Sequence, residues 1–212
     1  MSRYIAIEGP IGVGKSSLAK LLGERFEVEP IYEQVEENPF LDSFYRDKSA
    51  YAFQTQMFFL VSRYKQLSQL SQVDLFKQVT VCDYIMERDL VFAKLNLDDS
   101  EFRLYLDIYN HLVKHVPAPD LAVYLQADTS TLMKRISIRD RDAEQGISEE
   151  YIEKVNSAFN DFFFNYRGGP LLIINTNNID FVANEEDFEK LVKKVRSDVQ
   201  GVEFFNPLGS LF

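Results

Sequence analysis

Residues 9–17 constrain the fold of this chain more than any other stretch. Gly9-Pro10-Ile11-Gly12-Val13-Gly14-Lys15-Ser16-Ser17 fits the pattern G-x-x-x-x-G-K-[ST]. Its glycines let backbone amides come close to an anion that a Cβ would hold away. A helix must start immediately afterwards, so that its free N-terminal N–H groups face the same anion. Both flanks comply. Arg3 to Glu8 is a short apolar run of strand character, and Lys15 to Phe26 carries Leu18, Leu21, Leu22 and Phe26 at helical spacing. An ordinary glycine turn before a helix would also satisfy the pattern, but the strand–loop–helix context favours a phosphate cradle. Lys15 then reaches the β- and γ-phosphates of a nucleoside triphosphate, and Ser16 ligates Mg²⁺.

The rest of the chain alternates strand and helix. Strands are expected at Val28 to Val35, Gln78 to Asp83, Leu121 to Gln126 and Leu171 to Asn175. Helices are expected over Phe40 to Asp47 after Asn38-Pro39, Ala50 to Gln72, Ser100 to Val116 with Ser100 as cap, Ser130 to Arg139, Ser148 to Tyr166 and Glu185 to Val199. Pro117 and Pro119 stop the third of these. Alternation of this kind implies an α/β fold, a five-stranded parallel sheet flanked by helices in one domain over residues 1–212.

Composition narrows the partners. Asp plus Glu number 33 against 23 Lys plus Arg, a net charge of −10, so the overall field attracts neither nucleic acid nor anionic membrane. Basic residues near the cradle must hold any polyanionic ligand. One cysteine, Cys82, excludes an internal disulfide, and with two histidines it argues against zinc. No run approaches 18 apolar residues and no secretory leader opens the chain, so a cytoplasmic location is expected.

A phosphate cradle does not name the reaction. A regulatory GTPase usually has N-K-x-D late in the chain, and no Asn-Lys pair occurs here. A small-molecule kinase remains, which needs an acceptor base, a second metal carboxylate and arginines over the transferring group. Glu33 lies near the carboxyl end of the expected second strand and Asp83 ends the third, at the strand ends where ligands of open α/β sheets bind. Arg135, Arg139 and Arg141 lie in M-K-R-I-S-I-R-D-R-D-A-E-Q-G-I, a lid over about residues 135–146; a solvated charged helix end would read the same way. Gln56 and Arg63, seven apart, share one helix face.

The segments G-P-I-G-V-G-K-S, Y-E-Q-V-E-E-N-P-F, Y-A-F-Q-T-Q-M-F-F-L-V-S-R-Y-K-Q-L and the arginine segment, in that order, resemble the deoxynucleoside kinase family, most of all its bacterial deoxyadenosine/deoxyguanosine branch. The resemblance runs from Tyr4 to about Val199. It implies a P-loop kinase fold with a helical lid, a homodimer, and ATP-dependent, Mg²⁺-dependent phosphorylation of a deoxynucleoside 5′-hydroxyl. By position it implies Glu33 as the group accepting the 5′-hydroxyl proton and Asp83 as a Mg²⁺ ligand, or itself the base. Tyr45 and Glu144 would hold the 3′-hydroxyl, Gln56 the base edge with Arg63 and Asp89, and Asp180 and Phe181 the donor adenine. The family commonly has arginine where this chain has Tyr84; Arg88, one helical turn on, is the expected substitute in binding the acceptor. Deoxycytidine acceptance, a thymidylate-kinase-like reaction and a non-enzymatic nucleotide-binding module remain alternatives.

Overall fold

In the computed structural model, which describes residues 3–70, 79–139 and 147–207, each strand lies parallel to its neighbours because helical connections return the chain to the same end of the sheet. The strands are β1 (Arg3–Glu8), β2 (Val79–Cys82), β3 (Leu121–Gln126), β4 (Leu171–Asn175) and β5 (Val202–Phe205), ordered β2-β1-β3-β4-β5. Ile5 pairs with Val81 on one side and Leu121 on the other, so β1 is central. The order reverses beside β1, and the phosphate-cradle loop leaves β1 at that switch point.

Eight α-helices are described: α1 (Lys15–Phe26), α2 (Leu41–Arg46), α3 (Lys48–Leu70), α4 (Arg88–Asn96), α5 (Asp99–Leu112), α6 (Thr129–Arg139), α7 (Glu149–Phe164) and α8 (Glu185–Arg196). The strand period of two splits the core. Ile5, Ile7, Val123 and Ile174 pack with Leu18, Leu132 and Leu191 from α1, α6 and α8. Tyr4, Ala6, Tyr124 and Ile173 face the other way, against Leu60, Val91, Tyr105 and Phe159 from α3, α4, α5 and α7. Both faces of the parallel sheet are thereby covered.

The expected strand Val28 to Val35 does not form. Pro30 has no N–H for a ladder, and its ring abuts Gly23 of α1, where a Cβ would lie 2.4 Å from Pro30 Cγ. Only Ile31 bridges to β2, donating to Val81 O at 2.9 Å and accepting from Asp83 N at 3.1 Å, and Val35–Glu37 is a 3₁₀ turn. The fifth strand is instead β5, reached through Gly201 at φ +62°. The last helix stops at Arg196, short of Val199.

Asp98, not Ser100, caps α5: its carboxylate accepts from Ser100 N and Glu101 N while Glu101 Oε2 accepts from Asp98 N, a complete capping box. That helix ends at Leu112, with a 3₁₀ turn over Val113–His115. Ser148 caps α7, accepting from Tyr151 N.

Candidate active site

The loop after β1 lies against β3 and α6 so closely that side chains are excluded. A Cβ on Gly9 would sit 2.5 Å from the Leu125 carbonyl oxygen, and one on Gly12 would sit 2.7 Å from Ile136 Cγ1 and 2.9 Å from Leu132 O. Both glycines also have left-handed φ, +153° and +84°. Lys15 Nζ folds back and donates to Gly9 O at 2.7 Å and Pro10 O at 3.0 Å. Burial lowers its pKa to about 8, reinforced by Arg88 and opposed by Glu8, Asp83 and Glu33. Such an ammonium is poised for a stronger anionic partner than two carbonyls.

Asp83 joins this loop to the next carboxylate. Its Oδ2 accepts from Ser16 Oγ at 2.6 Å and its Oδ1 from Glu33 N at 2.9 Å. The bridge at Ile31 sets this up by holding the segment two residues before Glu33 against β2. Glu33 pairs with Arg63 from α3 and, at 2.8 Å, with Arg88 Nη1 from α4; Arg63 also pairs with Asp89. Burial pushes the Glu33 carboxyl up, but Arg63, Arg88 and Lys15 outweigh it and hold its pKa at about 2. Arg88 responds in kind: burial works against its charge, and Glu33, Glu8 and Asp83 raise its pKa.

Glu8, at the end of β1, is a member that sequence reasoning missed. It is fully buried, with Oε2 accepting from Gly9 N at 2.9 Å and Oε1 from Ile85 N at 3.0 Å, so it ties the cradle to the segment after Asp83. Burial raises its carboxyl pKa, opposed by Arg88 and Lys15. A lone acid closing an apolar run was the available signal.

Lys15, Ser16, Glu33, Arg63, Asp83 and Arg88 line one cleft of 640 Å³. Ile11, Gly12, Lys15, Ser16 and Ser17 line one end with Glu33, Asp83 and Arg139. Leu41, Phe44 and Tyr45 of α2, Gln56 and Phe59 of α3, and Phe92 and Tyr151 line the other. Gln56 is buried, and its amide has no hydrogen-bond partner among the described residues. Gly9, Pro10, Val13 and Gly14 support the loop from outside the cleft, and Asp89, fully buried, stands behind Arg63.

The arginines of α6 divide. Arg139 lines the cleft, whereas Arg135 donates to Val13 O at 3.2 Å, Thr176 Oγ1 at 3.0 Å and Thr176 O at 2.8 Å, bracing the cradle against the end of β4. Phe181 is buried with its ring 3.1 Å from where a Gly14 Cβ would be, and Asp180 accepts from Val182 N and Ala183 N within its own turn. Tyr84 turns away from the cleft and donates to Gln66 Oε1 at 2.6 Å. Arg141 and Glu144 lie outside the described residues.

Among the described residues, no cluster of three or more His, Cys, Asp or Glu could hold a metal alone. Ser16 Oγ and Asp83 Oδ2 nevertheless offer adjacent hard oxygens, which suits Mg²⁺, an ion that keeps waters and takes further ligands from phosphates.

The chain is similar over most of its length to known proteins of one family. A family model described as deoxynucleoside kinase matches residues 5–200. Deoxyguanosine kinase of Bacillus subtilis (strain 168) is 36% identical over 198 residues, which cover 91% of this chain and 96% of that protein. Deoxyadenosine kinase of Lactobacillus acidophilus is 31% identical over 209 residues, covering 92% and 95%. Among solved structures, deoxyadenosine kinase from M. mycoides with bound dATP aligns at a TM-score of 0.80 and 29% identity, over 92% of this chain and all of that one. The same enzyme with the products dCMP and a flexible dCDP aligns at 0.79.

Proposed function

Because the chain belongs to the deoxynucleoside kinase family, we propose that it transfers the γ-phosphoryl group of ATP to the 5′-hydroxyl of a purine deoxynucleoside, deoxyadenosine or deoxyguanosine. It is a kinase, and its reaction converts a deoxynucleoside to the monophosphate. The observation that carries the finer reading is the ionised Glu33, linked through Asp83 to Ser16 of the cradle. A carboxylate beside the acceptor suits a neutral hydroxyl and repels an acceptor that is already a phosphate.

In this mechanism the γ-phosphoryl group lies between the cradle and the 5′-oxygen. Lys15 leaves the carbonyls of Gly9 and Pro10 for the phosphates, and the backbone amides of residues 9–17 hold the remaining charge. Mg²⁺ bound through Ser16 and Asp83 would neutralise charge on the phosphate oxygens. Glu33 accepts the hydrogen bond of the 5′-hydroxyl and takes its proton as the 5′-oxygen bonds to the γ-phosphorus and the bond from that phosphorus to the β–γ bridging oxygen breaks, ADP leaving with the electron pair. A pKa near 2 makes Glu33 a weak base, which fits a loose transition state in which the hydroxyl loses its proton late. Arg88 and Arg63 keep Glu33 charged and aimed, with Arg88 beside the acceptor oxygen where the family commonly has arginine at the Tyr84 position. Arg139, with Arg141 from the lid, stabilises the transferring group.

At the far end Gln56 recognises the base edge, and Tyr45 with Glu144 holds the 3′-hydroxyl. Phe181 and Asp180 form the side that meets the donor adenine. The bound dCMP in the M. mycoides relative supports deoxycytidine as a second acceptor to test. The reading extends to a homodimer acting in the cytoplasm; no described helix is long and apolar enough to cross a membrane.

The test is a steady-state assay with labelled ATP and Mg²⁺ against deoxyadenosine, deoxyguanosine, deoxycytidine, thymidine and their monophosphates. Purine deoxynucleosides should give the highest kcat/KM. A monophosphate that outperforms every nucleoside would overturn the assignment.

A further inference from the structure

Strand β2 ends at Cys82, which pairs with Ala6, while β1 runs on to Glu8, paired there with Tyr124 of β3. Where the β1–β2 ladder stops, the Glu8 side chain takes over from it. Its Oε2 accepts from Gly9 N at 2.9 Å, the first amide of the phosphate cradle, and its Oε1 accepts from Ile85 N at 3.0 Å. Ile85 stands two residues after Asp83, and its carbonyl accepts at 3.4 Å from the N–H of Arg88, the first residue of α4. One carboxylate therefore joins the loop that carries Lys15 and Ser16 to the segment that carries Asp83 and Arg88.

The chemistry of the link requires a carboxylate. An ionised carboxyl group only accepts, so its two oxygens can serve two N–H donors at once, whereas a glutamine would turn its own N–H₂ donor toward one of them. Burying a charge completely is costly unless its atoms are hydrogen-bonded, and here backbone amides from two different segments do this. Glu8 is fully buried and does not line the cleft, so it is not placed to touch a substrate. It acts instead on groups that are. Burial works against the charges of both Lys15 and Arg88, and Glu8 supports both, as Asp83 and Glu33 do from the cleft wall.

We propose that Glu8 is a positioning residue for phosphoryl transfer. By clamping Gly9 to Ile85 it fixes the distance between donor phosphates held at Lys15 and Ser16 and an acceptor oxygen held at Glu33 and Arg88. This rests on the kinase reading given above for the two sides of the site. A misplacement of about 1 Å costs about a hundredfold in rate, although both substrates still bind.

The test compares wild type with Glu8→Gln, which keeps the size and spoils one of the two hydrogen bonds, and Glu8→Asp, which keeps the charge but is one methylene too short to span both amides. In each variant kcat should fall by roughly ten- to a thousandfold, while KM for ATP and for the deoxynucleoside each change less than about threefold. Amide hydrogen exchange in the ligand-free enzyme reads the clamp directly. Gly9 N–H or Ile85 N–H, or both, should exchange at least about tenfold faster in each variant, with helix α8 unchanged.

An unchanged kcat alongside faster exchange at either amide overturns the proposal. So does a wild-type kcat in Glu8→Asp with a reduced one in Glu8→Gln, because the charge alone would then matter. A loss of kcat that disappears when the assay temperature is lowered well below the variant's Tm also overturns it, since the carboxylate would then serve only the fold. Failure of the kinase reading looks different: wild type itself would phosphorylate no nucleoside, whatever the exchange rates of the two amides.

Discussion

Replacing Arg88 by Met tests what keeps Glu33 charged. The substitution removes the guanidinium 2.8 Å from Glu33 Oε2 while leaving Arg63 and most of the buried volume in place. An opposite charge in contact is worth about 1–3 pK units, so the Glu33 carboxyl should rise from about 2 to about 3–5. The sign follows from proton binding. A carboxyl depressed in the folded protein stabilises it above the ordinary glutamate pKa of about 4.3, and that stabilisation disappears as pH falls through the folded value near 2. Breaking one of two buried pairs should cost about 3 kcal/mol, or roughly 6–12 °C in Tm, so kinetics belong well below the variant's melting range.

The measurement is kcat/KM for the deoxynucleoside from pH 3.5 to 8, taken as the ratio of variant to wild type so that titration of ATP and nucleoside cancels. This parameter reports groups of the free enzyme. The ratio should be flat near neutrality and fall on the acid side with a midpoint at about pH 3–5. Arg88→Lys, which retains the charge, should restore the wild-type profile. A ratio that is uniformly low and independent of pH would refute the argument, because Arg88 would then act without governing the ionisation of Glu33.

Four further outcomes follow from the same geometry. Glu33→Gln should lower kcat by about 10²–10⁴ with little change in KM for ATP, measured at saturating nucleoside; retained turnover would move the proton-accepting role to Asp83. Arg139→Ala should lower kcat far more than it weakens nucleoside binding, whereas Arg135→Ala should raise KM for ATP and lower Tm, because its bonds go to Val13 and Thr176. Gly12→Ala should lose ATP affinity and thermal stability together, since the Leu132 carbonyl 2.9 Å from the new Cβ belongs to a helix backbone that cannot yield cheaply. Dideoxyadenosine should be a poor substrate and adenosine weaker than deoxyadenosine, with Tyr45→Phe narrowing the first difference in kcat/KM.

The phosphate cradle could be recognised from residues 3–26 because everything it requires is local: an apolar run, glycines at three positions, and a lysine and serine opening a helix. The starts of α2 and α7 were similarly close, with Pro39 or the Ser148 cap within a turn, whereas α5 ends at Leu112, four residues before the expected Val116. Segments whose structure depends on a distant neighbour were harder. Val28 to Val35 has strand composition, but Pro30 sits against Gly23 and leaves only Ile31 to pair, while the short run Val202–Phe205 becomes a strand because β4 offers it an edge. The site divides the same way. Glu33 and Asp83 could be picked out as acids at strand ends, but nothing nearby in the chain foretells that Arg63 holds Glu33 across 30 positions, that Arg135 serves Val13 and Thr176, or that Glu8 bridges Gly9 and Ile85. Hydrogen bonds within a turn or a helix follow from neighbouring residues, whereas strand pairing, burial and ion pairs join groups that meet only after the chain has folded.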